Sequence, residues 1–198
     1  MTALKQTPSQ TVGPYFAYGL CPEQYNFDFK SLFTPAIADH EAAGEHITIV
    51  GQVFDGDGKV IGDAMLEVSQ VDAQGRYPAS RAEVEASGFR GFARVGTGTD
   101  PQKRFIVETV KPGRAASASD EAPHLNVIVT MRGMLLHTFT RVYFDDEAAA
   151  NESDPVLALV PAERRGTLIA RRVDGTSKTV YRFDIHMQGE QETVFFDL

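Results

Sequence analysis

The stretch DEAPHLNVIVT places His124 and Asn126 two residues apart at the head of an apolar run. Side chains two apart on a strand point to the same face, so H-x-H here would be half of a strand-borne metal site. The chain offers H-x-N instead. The five histidines are His40, His46, His124, His137 and His186, and none stands in an H-x-H, an H-E-x-x-H or a Cys/His cluster. Cys21 is the one cysteine, so no internal disulfide forms and a reducing compartment is the default. No G-x-S-x-G marks a nucleophile. GTGTDP lacks the helix-forming run that a phosphate loop needs after it. DGDGK lacks the later ligands and the Glu of a calcium loop and reads as a hairpin turn. The residues alone therefore give no metal site and are compatible with a binding module.

The elements that must position these residues are short. HITIVGQVF runs to the turn DGDGK, and AMLEVSQV to the turn DAQGR. RFIVETV stops at KPG, HLNVIVTM at RG and LLHTFTRVYF at DDE. TVYRFDIHM follows VDGTSK, and ETVFFDL closes the chain. With no long helical period, this predicts an all-β fold: an antiparallel β-sandwich of about seven to nine strands. DDEAAANES and PAERRGTLIARR, in the connection after Phe144, are the short helical candidates. PASRAEVEASGFRGFARVGTGTD reads as a long irregular loop. Along His124 to Arg132, the apolar Leu125, Val127, Val129 and Met131 share one face, the expected core. His124, Asn126, Ile128, Thr130 and Arg132 share the other.

At 198 residues the chain is long enough for one domain with a real core plus an arm. Its net charge of -8 argues against nucleic acid as a partner. MTALKQTPSQT has no apolar signal core, and no stretch reaches the length of a membrane span, so a cytoplasmic protein is expected. Residues 1–45 lack a clear period but carry Tyr15, Phe16, Tyr18, Tyr25, Phe27, Phe29 and Phe33 between prolines. Disordered arms are poor in aromatics, so this one should pack on its own sandwich or on a partner chain. The expected division is an arm over 1–45 and a sandwich over 46–198.

Seven fragments in order carry a resemblance: TPSQTVGPYF, GQVFDGDGKVIGDAMLEVSQVDAQGRY, TVKPG, APHLNV, TRVYFDDE, DPVL and YRFDIHMQGEQETVFFD. Together they resemble the intradiol ring-cleavage dioxygenases, most closely the α subunit of the heteromeric members that cleave protocatechuate. The resemblance runs nearly end to end and implies a β-sandwich with an N-terminal arm. It also implies a ferric ion held by two Tyr and two His in the catalytic member, with an Arg just before the first His. Phenolate oxygen suits hard Fe(III), and the Arg offsets charge that develops in the reaction.

Carried over by position, GRY supplies Tyr77 for the first Tyr, but KPGRA puts Ala115 at the second. His124 matches the first His, Asn126 stands at the second, and Glu121 replaces the Arg. Two donors of four remain, so the resemblance implies a vestigial site: no metal and no catalytic residue in this chain alone, with the ferric iron in a homologous β subunit. It implies an (αβ)n hetero-oligomer acting on protocatechuate and O2 to give 3-carboxy-cis,cis-muconate. Thr11, Gly13, Pro14, Tyr15 and Arg132 would wall the partner's substrate pocket. Gly13 and Pro14 would give a close, rigid edge against a flat ring, and Arg132 would offset the ring carboxylate. Tyr77 and His124 would be leftovers, bonded to each other or to Glu121. Plainer readings stay open: GPY as a turn and Arg132 as a solvated strand end. So do a self-sufficient intradiol enzyme with replaced ligands and an assembly module without an enzyme partner.

Overall fold

Alternating apolar positions give His46–Phe54 and His124–Thr130 one buried face each. The computed structural model describes residues 5–13, 15–117 and 120–197. Its strands are β1 (His46–Phe54), β2 (Met65–Ser69), β3 (Phe92–Gly96), β4 (Arg104–Val110), β5 (His124–Thr130), β6 (Thr138–Phe144), β7 (Ile169–Arg172), β8 (Thr179–Arg182) and β9 (Ile185–His186). Short helices are α1 (Tyr15–Leu20), α2 (Arg81–Ser87), α3 (Ala148–Ser153) and α4 (Pro155–Leu159).

Strand order is β3-β2-β5-β6-β7-β8-β1-β4, with β9 beside β1. β7 turns the corner between the two layers. Tyr143 and Phe144 pair with Ile169 and Ala170 in parallel, whereas Arg171 and Arg172 pair antiparallel with Arg182 and Tyr181. The core lies between the layers: Leu125, Val127 and Val129 of β5 meet Ile49, Phe105 and Val107 of the other layer in one buried cluster, with Met131 packed against it. The sandwich is not purely antiparallel. β1 runs parallel to both β8 and β9, and β6 parallel to β7.

The two Gly/Asp turns share one device. Asp55 Oδ1 accepts from the N–H of Asp57 and Lys59, and Asp72 Oδ1 from Gln74 and Arg76. Each carboxylate thus folds its own backbone into an Asx turn. In the second, Gly75 sits at φ +79, and a Cβ there would lie 1.8 Å from the Arg114 carbonyl oxygen. That close approach, with Ala116 N–H donating to Gly75 O, holds the 72–77 turn against residues 113–116.

Three stretches differ from the sequence expectation. PASRAEVEASGFRGFARVGTGTD contains α2 and β3. Within PAERRGTLIARR there is a 3-10 turn over Arg165–Leu168, followed by β7. The described residues of ETVFFDL, 192–197, form no strand and make a single bridge, Phe139 to Phe196. Val194 and Phe196 pack instead against a second cluster of Ala122, Tyr143, Ala150, Leu157, Val160 and Leu168.

The arm lies along its own sandwich. Gln24 Nε2 donates to Arg94 O, and Gln24 Oε1 accepts from Gly96 N–H. Ala17 and Cys21 bury against Met65. Phe33 meets Phe92 edge to face, and Ile37 N–H donates to Glu108 O. Burial pushes the Cys21 thiol up to about 11, which suits a packed side chain rather than a nucleophile. Even so, Tyr15, Phe29 and Leu32 remain 79%, 73% and 87% exposed, apolar surface that the arm's own packing leaves uncovered.

Candidate functional site

β5 and β6 pair so that His124 faces Tyr143 and Asn126 faces Arg141. These four side chains lie on the face of the sheet away from the sandwich core, with Tyr143 packed under the α3–α4 connection. His124 Nδ1 lies 2.8 Å from Ala122 O, which makes Nδ1–H the donor and leaves Nε2 as the free nitrogen. Nε2 is 3.7 Å from Glu121 Oε2. The same Glu121 oxygen accepts from Arg141 Nη1 at 2.8 Å. Arg141 Nη1 also lies 3.4 Å from the Tyr143 hydroxyl, which donates to Asp154 Oδ1 at 3.3 Å. Asn126 Oδ1 is buried without a hydrogen-bond partner.

Asp154 holds this assembly to the helices. Its Oδ1 caps α4 by accepting from Val156 and Leu157 N–H, and its Oδ2 accepts from Ala122 N–H at 2.7 Å. Pro155 at the first helical position complements the cap. Burial pushes the Tyr143 phenol well above its ordinary value, so it stays a donor.

Burial also lowers His124 below its ordinary 6.5. The Ala122 hydrogen bond opposes this, and the Arg141 charge adds to it. A histidine held neutral by the fold costs stability only where the unfolded chain takes up its proton. The contribution is therefore flat above pH 6.5 and lost as pH falls from there through the lower folded value. His124→Gln should make melting temperature less sensitive to acid across that window, measured against the parent chain. An equal acid response in both would show that His124 does not titrate this way.

The other predicted positions sit in two places. Tyr77 is 52% exposed, in a surface recess with Asp72, Pro78 and Glu83, and is not brought into the His124–Glu121 network. Ala115 lies within the segment that rests on Gly75, between Arg114 and Ala116. Thr11 and Arg132 are brought together: Gly133 N–H donates to Thr11 Oγ1 at 2.8 Å. Arg132 is not on the strand, which ends at Thr130; it lies in a turn that Gly133 completes at φ +89. Its Nε pairs with Asp63 Oδ2, and the side chain is 64% exposed. A Cβ at Gly13 would meet nothing within 4 Å, so the chain's own packing does not demand glycine there. Gly13 O accepts from Phe16 N–H at the start of α1, and Tyr15 is 79% exposed. Pro14 lies outside the described residues. Sequence reasoning missed Arg141, Tyr143 and Asp154. Arg141 and Tyr143 share a face of TFTRVYF, and D-P before an apolar run is a helix-cap signal; both were available.

A family model described as Dioxygenase matches residues 13–189. The chain is 71% identical over 199 residues to the protocatechuate 3,4-dioxygenase alpha chain of Burkholderia cepacia, covering 100% of both. The chain belongs to the intradiol dioxygenase family. It is also 29% identical over 171 residues to the protocatechuate 3,4-dioxygenase beta chain of the same organism, covering 80% of this chain and 71% of that one. An intradiol ring-cleavage dioxygenase from Tetranychus urticae shares the fold, with a TM-score of 0.60 at 15% identity over 92% of this chain and 94% of that structure.

Intradiol dioxygenases are non-haem iron enzymes, so the donors of this family member can be tested against ferric iron. They do not fit. Ala115 has no donor atom and Asn126 offers a neutral amide. The free nitrogen of His124 is turned toward Glu121, and Glu121 is already bound by the Arg141 guanidinium. Nothing in the set resembles two phenolates and two imidazoles on one centre.

Proposed function

We propose that this chain is the α subunit of a heteromeric protocatechuate 3,4-dioxygenase whose ferric iron sits in the homologous β subunit. The complex cleaves protocatechuate between its hydroxyls with both atoms of O2, giving 3-carboxy-cis,cis-muconate, in the cytoplasm. The observation that carries this reading is the pairing of 71% identity over the whole chain with a donor set that cannot hold ferric iron. Residues 1–45 form the arm that packs on the partner, and 46–198 the sandwich. The exposed Tyr15, Phe29 and Leu32 support a partner there.

In this reading the chain shapes the substrate pocket. Thr11 pins the arm to the turn that carries Arg132, so Gly13, Tyr15 and Arg132 would line one edge. Asp63 takes Nε of Arg132 and leaves its two terminal nitrogens for a carboxylate. Gly13 keeps the edge free of a side chain where the chain's own packing needs none.

Co-expression with the iron-bearing homologue tests the assignment. The two chains should co-purify, and the complex should consume one O2 per protocatechuate. The lone chain should hold no stoichiometric iron and show no activity. Stoichiometric iron with tyrosinate absorption in the purified lone chain would overturn the reading and favour a self-sufficient enzyme. A stable monomer that never captures the homologue would favour an assembly module.

A further inference from the structure

The position of the lost metal is not simply vacant of donors; a charge is built into it. Arg141 stands opposite Asn126 in the β5–β6 ladder. Its guanidinium is fixed by Glu121 Oε2 at 2.8 Å and touches the Tyr143 hydroxyl. Its side chain is 17% exposed and that of Glu121 20%. Glu121 stands where the resemblance expects an arginine, and Arg141 stands next to where it expects the second His. Where the resemblance expects an arginine there is an acid, and a cation stands on the neighbouring strand.

We infer that Arg141 is a resident cation in the degenerate centre, clamped by Glu121, and that it excludes metal independently of the missing ligands. The physical reason is charge. An ion on Nε2 of His124 would sit within a few ångströms of a permanent guanidinium, in a partly buried place where screening is weak. That guanidinium already satisfies Glu121, the carboxylate that faces Nε2 of His124, so an incoming ion would have to break an existing charged pair before gaining one. Tyr143 and Asp154 hold the arrangement from behind, since Asp154 also fixes Ala122, whose carbonyl orients His124. Restoring donors alone then leaves the site closed.

This inference rests on the proposed assignment but is tested separately, on the full chain with ferric iron as the probe. Two variants both carry Asn126→His, which adds a second imidazole on the strand face of His124; one keeps Arg141 and the other has Arg141→Gln. The second should bind ferric iron roughly a hundredfold more tightly, read as iron retained after desalting, while the first retains almost none. Equal iron retention by the two overturns the inference, as does a folded Arg141→Gln variant that takes up no iron. If these do not fold, Arg141→Gln alone replaces them, with zinc as the probe. Zinc should raise its melting temperature through Glu121 and His124 and leave the parent chain unmoved; no difference between the two overturns the inference. Iron bound by the parent chain would instead overturn the assignment itself.

Discussion

Asp154→Ala lowers the melting temperature of the chain by roughly 6–16 °C, the shift that about 3–4 kcal/mol produces in a domain of this size. Asp154 is fully buried, and its two oxygens satisfy three backbone N–H groups and one phenol. Alanine removes the cap of α4, worth about 1 kcal/mol. It also leaves Ala122 N–H unpaired in a dry place, at about 1–3 kcal/mol. Tyr143, with no exposed surface of its own, loses its acceptor as well. Asp154→Asn should fall between parent and alanine: it keeps one accepting oxygen for the helix and turns an amide N–H2 toward the Ala122 donor. Denaturant unfolding is the measurement. An alanine variant within about 1 kcal/mol of the parent would show that water replaces the carboxylate, and that Asp154 is not the tie between the helices and the segment leading to His124.

How much of this was legible in the sequence depends on whether the signal was local. The parity of His124 to Thr130 was, because a strand with one buried face must alternate, and Leu125, Val127 and Val129 are all buried. The Asp55 and Asp72 turns were legible too, since Asp and Gly at those offsets fold onto their own backbone. Helix α2 was not read because it buries none of its side chains, so it has no apolar period. Its signature was the cap alone: Ser80 Oγ accepts from Glu83 N–H, and the Glu83 carboxylate from Ala79 N–H. ETVFFDL has the β-branched and aromatic residues of a strand, yet Val194 and Phe196 pack against the cluster that holds Tyr143 and Leu168, a tertiary choice that composition does not report. The same limit applies to the site. The expected ligand positions came from the resemblance, carried over motif by motif along the chain. The cation proposed to close the site lies on another strand, and register rather than sequence distance brings Arg141 to Asn126.

In the assembled enzyme, Arg132→Ala should raise KM for protocatechuate roughly ten- to a hundredfold, the range expected when a charged hydrogen bond worth about 1.5–3 kcal/mol is lost. KM for catechol, which has no carboxylate, should barely move. The side chain is 64% exposed and sits in a turn, so its loss removes little packing and the melting temperature should hold. Because the carboxylate does not react, its contact is equally strong in ground and transition states, and kcat should stay near the parent value. Asp63→Ala provides the second arm. Asp63 orients the guanidinium through Nε without reaching the ring, so its removal should raise KM for protocatechuate selectively but by less. Arg132→Lys should recover only part of the affinity, since an ammonium lacks the fork that grips both carboxylate oxygens. If alanine at 132 raises KM for both substrates alike, Arg132 shapes the pocket wall without reading the carboxylate. Its pairing with Asp63 and the tie from Gly133 to Thr11 would then serve only to seat the arm.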